Sequence, residues 1–225
     1  MALTIYGTAA SRAVRPLWVA AELALDYTHI PVPYLGGATR SPEFLAINPN
    51  GHIPALDDDG VVVWESMACA LYLAERFSSP VSSPNGCDLW ARDSGELAAV
   101  LGWAFWAVTE CEKDALVFLM HTYAMAPERR KPALALEAER RLAKPLQVLE
   151  QHLERVASRH TDVGGGDAFL AGRRFTVADV CVASVLAWVV QAQQLMTPLP
   201  HVRGWLQRCL TRPAYLHVQL MAKKA

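Results

Sequence analysis

The stretch NPNGHIPALDDDGVVVWES, Asn48 to Ser66, is dense in residues that dictate backbone shape. Asn-Pro and Asn-Gly mark turns, Ile53-Pro54 imposes an extended step, and Asp59-Gly60 sits between two apolar runs. Pro54-Ala55-Leu56 and Val61-Val62-Val63-Trp64 therefore read as two strands of a hairpin. Glu65 and Ser66 interrupt the apolar run, and MACALYLAERF follows with Met67, Leu71, Ala74 and Phe77 on a helical face that Ser66 can cap. A chain that holds so much backbone in one shape invites the question of what that backbone holds.

Outward from this stretch, the first third alternates elements. Leu3-Thr4-Ile5-Tyr6 is a short strand ended by Gly7. Val14, Leu17, Trp18, Ala21 and Leu25 recur at helical spacing from about Ala13 to Leu25. Tyr27 to Val32 reads as a second strand, and a glycine-bearing loop leads to a short helix near Pro42 to Ile47. The order is β-α-β, a loop with a short helix, then β-β-α. The run Ser78 to Gly86, SSPVSSPNG, has the composition of a linker. Beyond it the strand pattern ends. Helical stretches cover roughly Asp88 to Tyr123 and Pro127 to Ser158, a loop with Gly164-Gly165-Gly166 follows, and further helices run to the end. Thr176 and Asp179 have the spacing of a capping box, with Phe175 and Val180 placed for a hydrophobic staple. The expected domains are 1–78 and 87–225.

Composition narrows the partners. The 225 residues are 52% hydrophobic with a formal charge of -1, so the chain is globular and lacks the basic face of a nucleic-acid binder. Arg129-Arg130-Lys131 and Arg140-Arg141 lie among glutamates and read as solvated helix faces. Five cysteines, an odd number with no C-x-x-C pair, fit a reducing cytoplasm better than a disulfide framework. The first residues lack the features of a signal peptide, and the apolar run Val180 to Val190 is too short to span a bilayer. The histidines show no ligand spacing with acids or cysteines, so no metal is expected. The triple glycine follows no strand, so it forms no phosphate loop.

A β-α-β then β-β-α block with a proline opening the third strand is the pattern of the thioredoxin-like fold. Pro54 can follow a cis or a trans bond. In the cis form the amide and carbonyl of Ile53 turn away from the sheet, where an extended peptide can pair with them. Together, NPNGHIPAL, the WES that begins a helix, the linker and FTVADV within an all-helical second half resemble the cytosolic glutathione S-transferase family, of bacterial type with no clear subclass. The resemblance spans essentially the whole chain. It implies an α/β thioredoxin-like, glutathione-binding N-terminal domain followed by an all-α C-terminal domain that carries the substrate pocket. It also implies a cis Pro54.

Under this resemblance the opening stretch grips glutathione, the co-substrate. Ile53, beside Pro54, pairs its backbone with the cysteinyl unit. Glu65 and Ser66 take the ammonium and carboxylate of the γ-glutamyl end, chemistry that suits a carboxylate and a helix start. His52 reaches the glycyl carboxylate. The activating hydroxyl lies in the loop YGTAASRAVRP, where the resemblance leaves both Ser11 and Thr8 open. Ser11 is the better helix cap and the leading candidate. Pro16 conflicts with a regular helix capped there, so an irregular first turn is expected. Trp103, Trp106 and Glu110 share a helical face where the family places its electrophile pocket, with core or dimer packing as the competing reading of the same face.

The implied activity is conjugation of the glutathione thiolate to small hydrophobic electrophiles, in a cytoplasmic homodimer. Two alternatives stay open: a glutathione-dependent disulfide or peroxide reductase, and a non-catalytic glutathione-binding scaffold. The absence of cysteine between Thr8 and Ser11 counts against a reductase that uses its own thiol.

Overall fold

Why the first unit folds as it does is visible in its apolar spacing. In the computed structural model, which describes residues 2–78, 87–158 and 168–224, strand β1 (Leu3–Tyr6) buries Leu3 and Ile5 and turns Thr4 and Tyr6 the other way. Beside it lie β2 (Thr28–Ile30) in parallel and β3 (Ala55–Asp58) antiparallel, and β4 (Val61–Trp64) closes the order β2-β1-β3-β4. The β3–β4 turn has positive φ at both Asp59 and Gly60, the twist a two-residue hairpin needs. Strand β4 is an edge, with Val61, Val62 and Trp64 exposed.

Helix α1 (Val14–Glu22) packs on α3 (Ser66–Phe77), while the short α2 (Pro42–Ile47) is capped by Ser41, whose hydroxyl accepts from the Phe44 amide. The sequence placed the start of α1 near Ala13 and expected an irregular first turn. Residues 11 to 15 indeed make tight i to i−3 bonds, Ser11 to Thr8, Val14 to Ser11 and Arg15 to Arg12. The regular ladder opens only with the Leu17 amide on Ala13, so Pro16 falls in the first turn, where its missing amide costs nothing.

The second unit is helical. Helix α4 (Ser94–Trp106), capped by Asp93, runs through a π-helical segment (Ala107–Glu112) into α5 (Lys113–Leu119) and a second π-helical segment (Met120–Ala124). Helix α6 (Pro132–Ser158) lies against α5 and buries Leu142, Leu146, Leu149 and Leu153, spaced three or four apart. It passes through Pro145, and its carboxylates cap later helices: Glu150 accepts from the amides of His201 and Val202. Helix α7 (Val177–Leu186) is buried all round and apolar except for Asp179 and Ser184. The capping box at its start forms, with Asp179 Oδ2 accepting from the Thr176 amide at 2.8 Å. The short α8 (Gln193–Met196) and α9 (Pro200–Leu210) complete this unit.

By their contacts the residues group as Met1–Ala91 with Thr211–Ala225, and Arg92–Leu210. The last helix, α10 (Pro213–Lys224), packs on α1 and so joins the first unit, where the sequence ran it on with the helical half. Most of the linker and the triple glycine lie outside the described residues. None of the five cysteines is in a disulfide, and burial pushes the Cys69 and Cys111 thiols up to about 12. Among the described residues no helix is long and apolar enough to cross a membrane, and no cluster of side chains has the makings of a metal site.

Candidate active site

One buried asparagine shapes the loop that leads into β3. Asn48 Oδ1 accepts from the Asn50 amide at 3.0 Å, and its Nδ2 donates to the His52 carbonyl at 2.7 Å. That clasp closes a turn around Gly51, whose φ is +61°. A Cβ there would lie 2.8 Å from the Thr39 carbonyl and 2.6 Å from Arg40 Nη1, so only glycine fits. His52 is exposed, and Arg40 donates to the Asn50 carbonyl two residues before it. The Ile53–Pro54 bond is cis. Neither the amide nor the carbonyl of Ile53 bonds to another described residue.

After β4 the chain turns sharply at Glu65, a non-glycine residue held at φ 71°. Such a conformation costs on the order of 1–3 kcal/mol and persists only where the surroundings enforce it. Its carboxylate is exposed and pairs with no described residue. Ser66 does not cap α3, as the sequence had suggested; it is the first helical residue and is buried. The reason is a charge from another helix. Arg15 on α1, only 1% exposed, donates from Nη1 to Ser66 Oγ at 2.6 Å. A hydroxyl, a guanidinium and the uncapped amides of a twelve-residue helix therefore converge. All three favour an anion.

The two hydroxyls of the β1–α1 loop differ in their commitments. Ser11 is half-buried; its Oγ donates to the Thr8 carbonyl at 2.7 Å and accepts from the Ala13 amide at 3.1 Å. Ser11 is thus an anchor for the turn before α1, whose N-cap is Ala13 without a side-chain bond. The Thr8 hydroxyl bonds to no described residue, but Thr8 is buried at 7% exposure and its amide is tied to Val32.

The three residues expected on one face of the helical half separate. Trp106 and Glu110 line a cavity of about 420 Å³ with Gly102, Lys144, Pro145 and Val148, between the α4 segment and α6. Trp103 instead lies against His152, ring centroids 4.7 Å apart, and edge-on to Trp106 at 5.0 Å. The π-helical segment begins directly after Trp106 and widens the turn that places Glu110.

Known proteins match this architecture along its length. The sequence model of the glutathione S-transferase N-terminal domain matches residues 1–75, and that of the C-terminal domain matches residues 112–213. Glutathione S-transferase 3 of Zea mays is 32% identical over 223 residues, covering 95% of this chain and 91% of that protein. The chain belongs to the glutathione S-transferase family. Glutathione transferase F7 of Populus trichocarpa superposes with a TM-score of 0.82 at 26% identity, covering 98% of this chain and 99% of that one. The theta class glutathione S-transferase of Xanthomonas axonopodis pv. citri, solved with glutathione bound, superposes at 0.74 with 27% identity over 96% of each chain.

Within this transferase fold, two residues of the candidate site escaped the sequence reading. Arg15, not singled out in the sequence, is among the largest fully buried side chains. The one available signal was position: Val14-Arg15-Pro16 puts a cation among apolar neighbours at a helix start. Arg40 has no local signal in the sequence, and only the fold brings it to Asn50.

Proposed function

We propose that this glutathione transferase binds the tripeptide along Ile53, Glu65 and Ser66, favours its thiolate with the Ser11 hydroxyl, and adds the sulfur to small hydrophobic electrophiles. The observation that carries the reading is the buried Arg15–Ser66 pair at the uncapped start of α3. The guanidinium, the hydroxyl and the helix start without a side-chain cap together suit an α-carboxylate. Glu65, strained and unpaired one residue earlier, meets the ammonium of the same γ-glutamyl group. The free backbone of Ile53 pairs with the cysteinyl unit beside Pro54, and His52 with Arg40 receives the glycyl carboxylate.

At the sulfur, Ser11 is the donor and Thr8 the reserve. The Ser11 proton rests on a neutral carbonyl, and a thiolate is the stronger acceptor, so a side-chain rotation moves the bond to sulfur. The Ala13 amide, which donates to the same oxygen, polarises the hydroxyl toward donation. On the helical unit, Trp106 offers the electrophile a flat wall and Glu110 a carboxylate, with Trp103 bracing Trp106.

Calorimetry should detect one glutathione per chain, and Ser66→Ala should weaken it by about tenfold, the worth of one charge-assisted hydrogen bond. An unchanged affinity in Ser66→Ala would remove this residue from the site. Turnover of a chlorinated nitroaromatic supports transfer. Turnover of a peroxide or mixed disulfide instead would make the enzyme a reductase, and binding without either would leave a scaffold.

We also propose that the chain works as a cytoplasmic homodimer. Phe105 on α4 is 65% exposed, and the edge strand β4 leaves Val61, Val62 and Trp64 open, more apolar surface than a monomer gains from leaving wet. Five cysteines with no disulfide among them suit a reducing compartment. Sedimentation should return twice the 24.7 kDa chain mass; a single-chain mass at micromolar concentration would refute the pairing.

A further inference from the structure

Glu22 and Arg212 each carry a charge at the wrong end of a helix. Glu22 is the last residue of α1, where unpaired carbonyls already concentrate negative charge. Arg212 immediately precedes α10, where unpaired amides make the end positive. Glu22 is also only 7% exposed, which is costly for a carboxylate without a partner. Each residue breaks a local rule, and the two violations fit each other. Arg212 Nε donates to Glu22 Oε1 at 2.6 Å and Nη2 donates to Oε2 at 2.8 Å, a two-pronged fork across 190 residues of sequence.

Trp18 completes the junction. Its Nε1 donates to Glu22 Oε1 at 2.9 Å, and its ring lies against Tyr215 of α10 with centroids 4.6 Å apart. Arg15, Trp18 and Glu22 fall at i, i+3 and i+7, on one face of α1. The face that α10 grips at its far end is therefore the face that presents Arg15 to Ser66 at its near end. Helix α1 packs on α3, but its own ends supply little to fix them. Its N-cap makes no side-chain bond, its first turn is irregular, and its last turn contains no basic residue.

We propose that Arg212 is a positioning residue for the tripeptide site. Through Glu22 and Trp18, docking of the C-terminal helix fixes α1 and with it the buried Arg15 against Ser66. This rests on the reading that Arg15 and Ser66 hold the γ-glutamyl carboxylate. Weakening the latch lets α1 shift, so the site must be reassembled each time glutathione binds. The effect belongs on affinity for glutathione rather than on the chemical step.

The test compares glutathione binding by calorimetry, together with kcat and KM, in the full-length wild type, Arg212→Gln, Arg212→Lys and Val182→Ala. Val182, buried in α7, belongs to the other unit and serves to lower stability without touching the latch. Arg212→Gln is expected to raise the Kd and KM for glutathione about tenfold, with kcat at saturation within about twofold of wild type. Arg212→Lys keeps the charge and loses the fork, so it falls between the two, and it carries the test should Arg212→Gln not fold. Val182→Ala lowers the melting temperature and leaves the Kd where it was. The proposal is overturned if Arg212→Gln and Arg212→Lys bind like wild type, or if Val182→Ala weakens glutathione as much as they do. No heat from the wild type sinks the glutathione reading and this inference with it; heat from the wild type with unmoved variants sinks the inference alone.

Discussion

Ser11→Ala is expected to lower kcat for glutathione with a chlorinated nitroaromatic by about 100-fold near neutral pH, the usual cost of losing one donor aimed at a developing anion. The physical ground is a thiol that ordinarily titrates near about 8.5 and so is mostly protonated where the enzyme works. A hydroxyl that donates to sulfur stabilises the thiolate and holds the pKa of the bound thiol down. Removing it lets that pKa rise. The deficit should be largest at low pH and shrink toward about pH 9, where the variant forms thiolate unaided. Thr8→Val should change the rate by less than about threefold, because Thr8 is buried and contributes its carbonyl, which the substitution keeps. A larger loss in Thr8→Val than in Ser11→Ala would transfer the role to Thr8. If both variants keep the wild-type rate and pH profile, neither hydroxyl touches sulfur.

That the choice between two hydroxyls needed a structure follows from what the sequence records. Local patterns were legible. Asp59-Gly60 between apolar runs placed β3 and β4, and the strand Leu3–Tyr6 and the short helix Pro42–Ile47 came out with the observed ends. These depend on neighbours in the chain. The tension at Pro16 was legible for the same reason, and the irregular turn is there. Long-range partnerships were not. Nothing near Ser66 announces that Arg15 takes its hydroxyl, so the serine read as a cap. Helix α10 shows an apolar pattern without stating which surface it covers, and Arg212 finds Glu22 only in the fold. The π-helical turns after Trp106 were hidden because a 3.6-residue period was assumed throughout, which put Trp103 and Glu110 on one face. The cis bond at Pro54 came from the family resemblance, since either isomer is compatible with the residues alone.

Asp179→Ala should destabilise the fold by about 4 kcal/mol and lower the melting temperature by about 10 °C. Asp179 began as half of a capping box, and the structure gives it a wider role. It is fully buried and accepts from the Thr176 amide at 2.8 Å, the Thr176 hydroxyl at 3.2 Å, the Leu170 amide at 3.0 Å and Trp205 Nε1 at 2.8 Å. One carboxylate thus joins the start of α7, the chain before it and the centre of α9. Alanine strands several buried donors at once, and each costs about 1–3 kcal/mol without a partner. Asp179→Asn keeps one acceptor oxygen and should lose about half as much. The pH dependence separates two opposing influences. Burial raises the Asp179 pKa above 3.8, while its hydrogen bonds pull the other way and do not fully compensate. The folded chain then holds this proton more tightly than the unfolded chain does. The stability so gained is complete below the unfolded pKa and is lost as pH rises through the higher folded value. Asparagine cannot titrate, so the wild type's lead over Asp179→Asn should narrow as melting temperatures are followed from about pH 4 to pH 8. A lead that widens over that range would mean that the donors outweigh burial, and that the carboxylate is held ionised in the core.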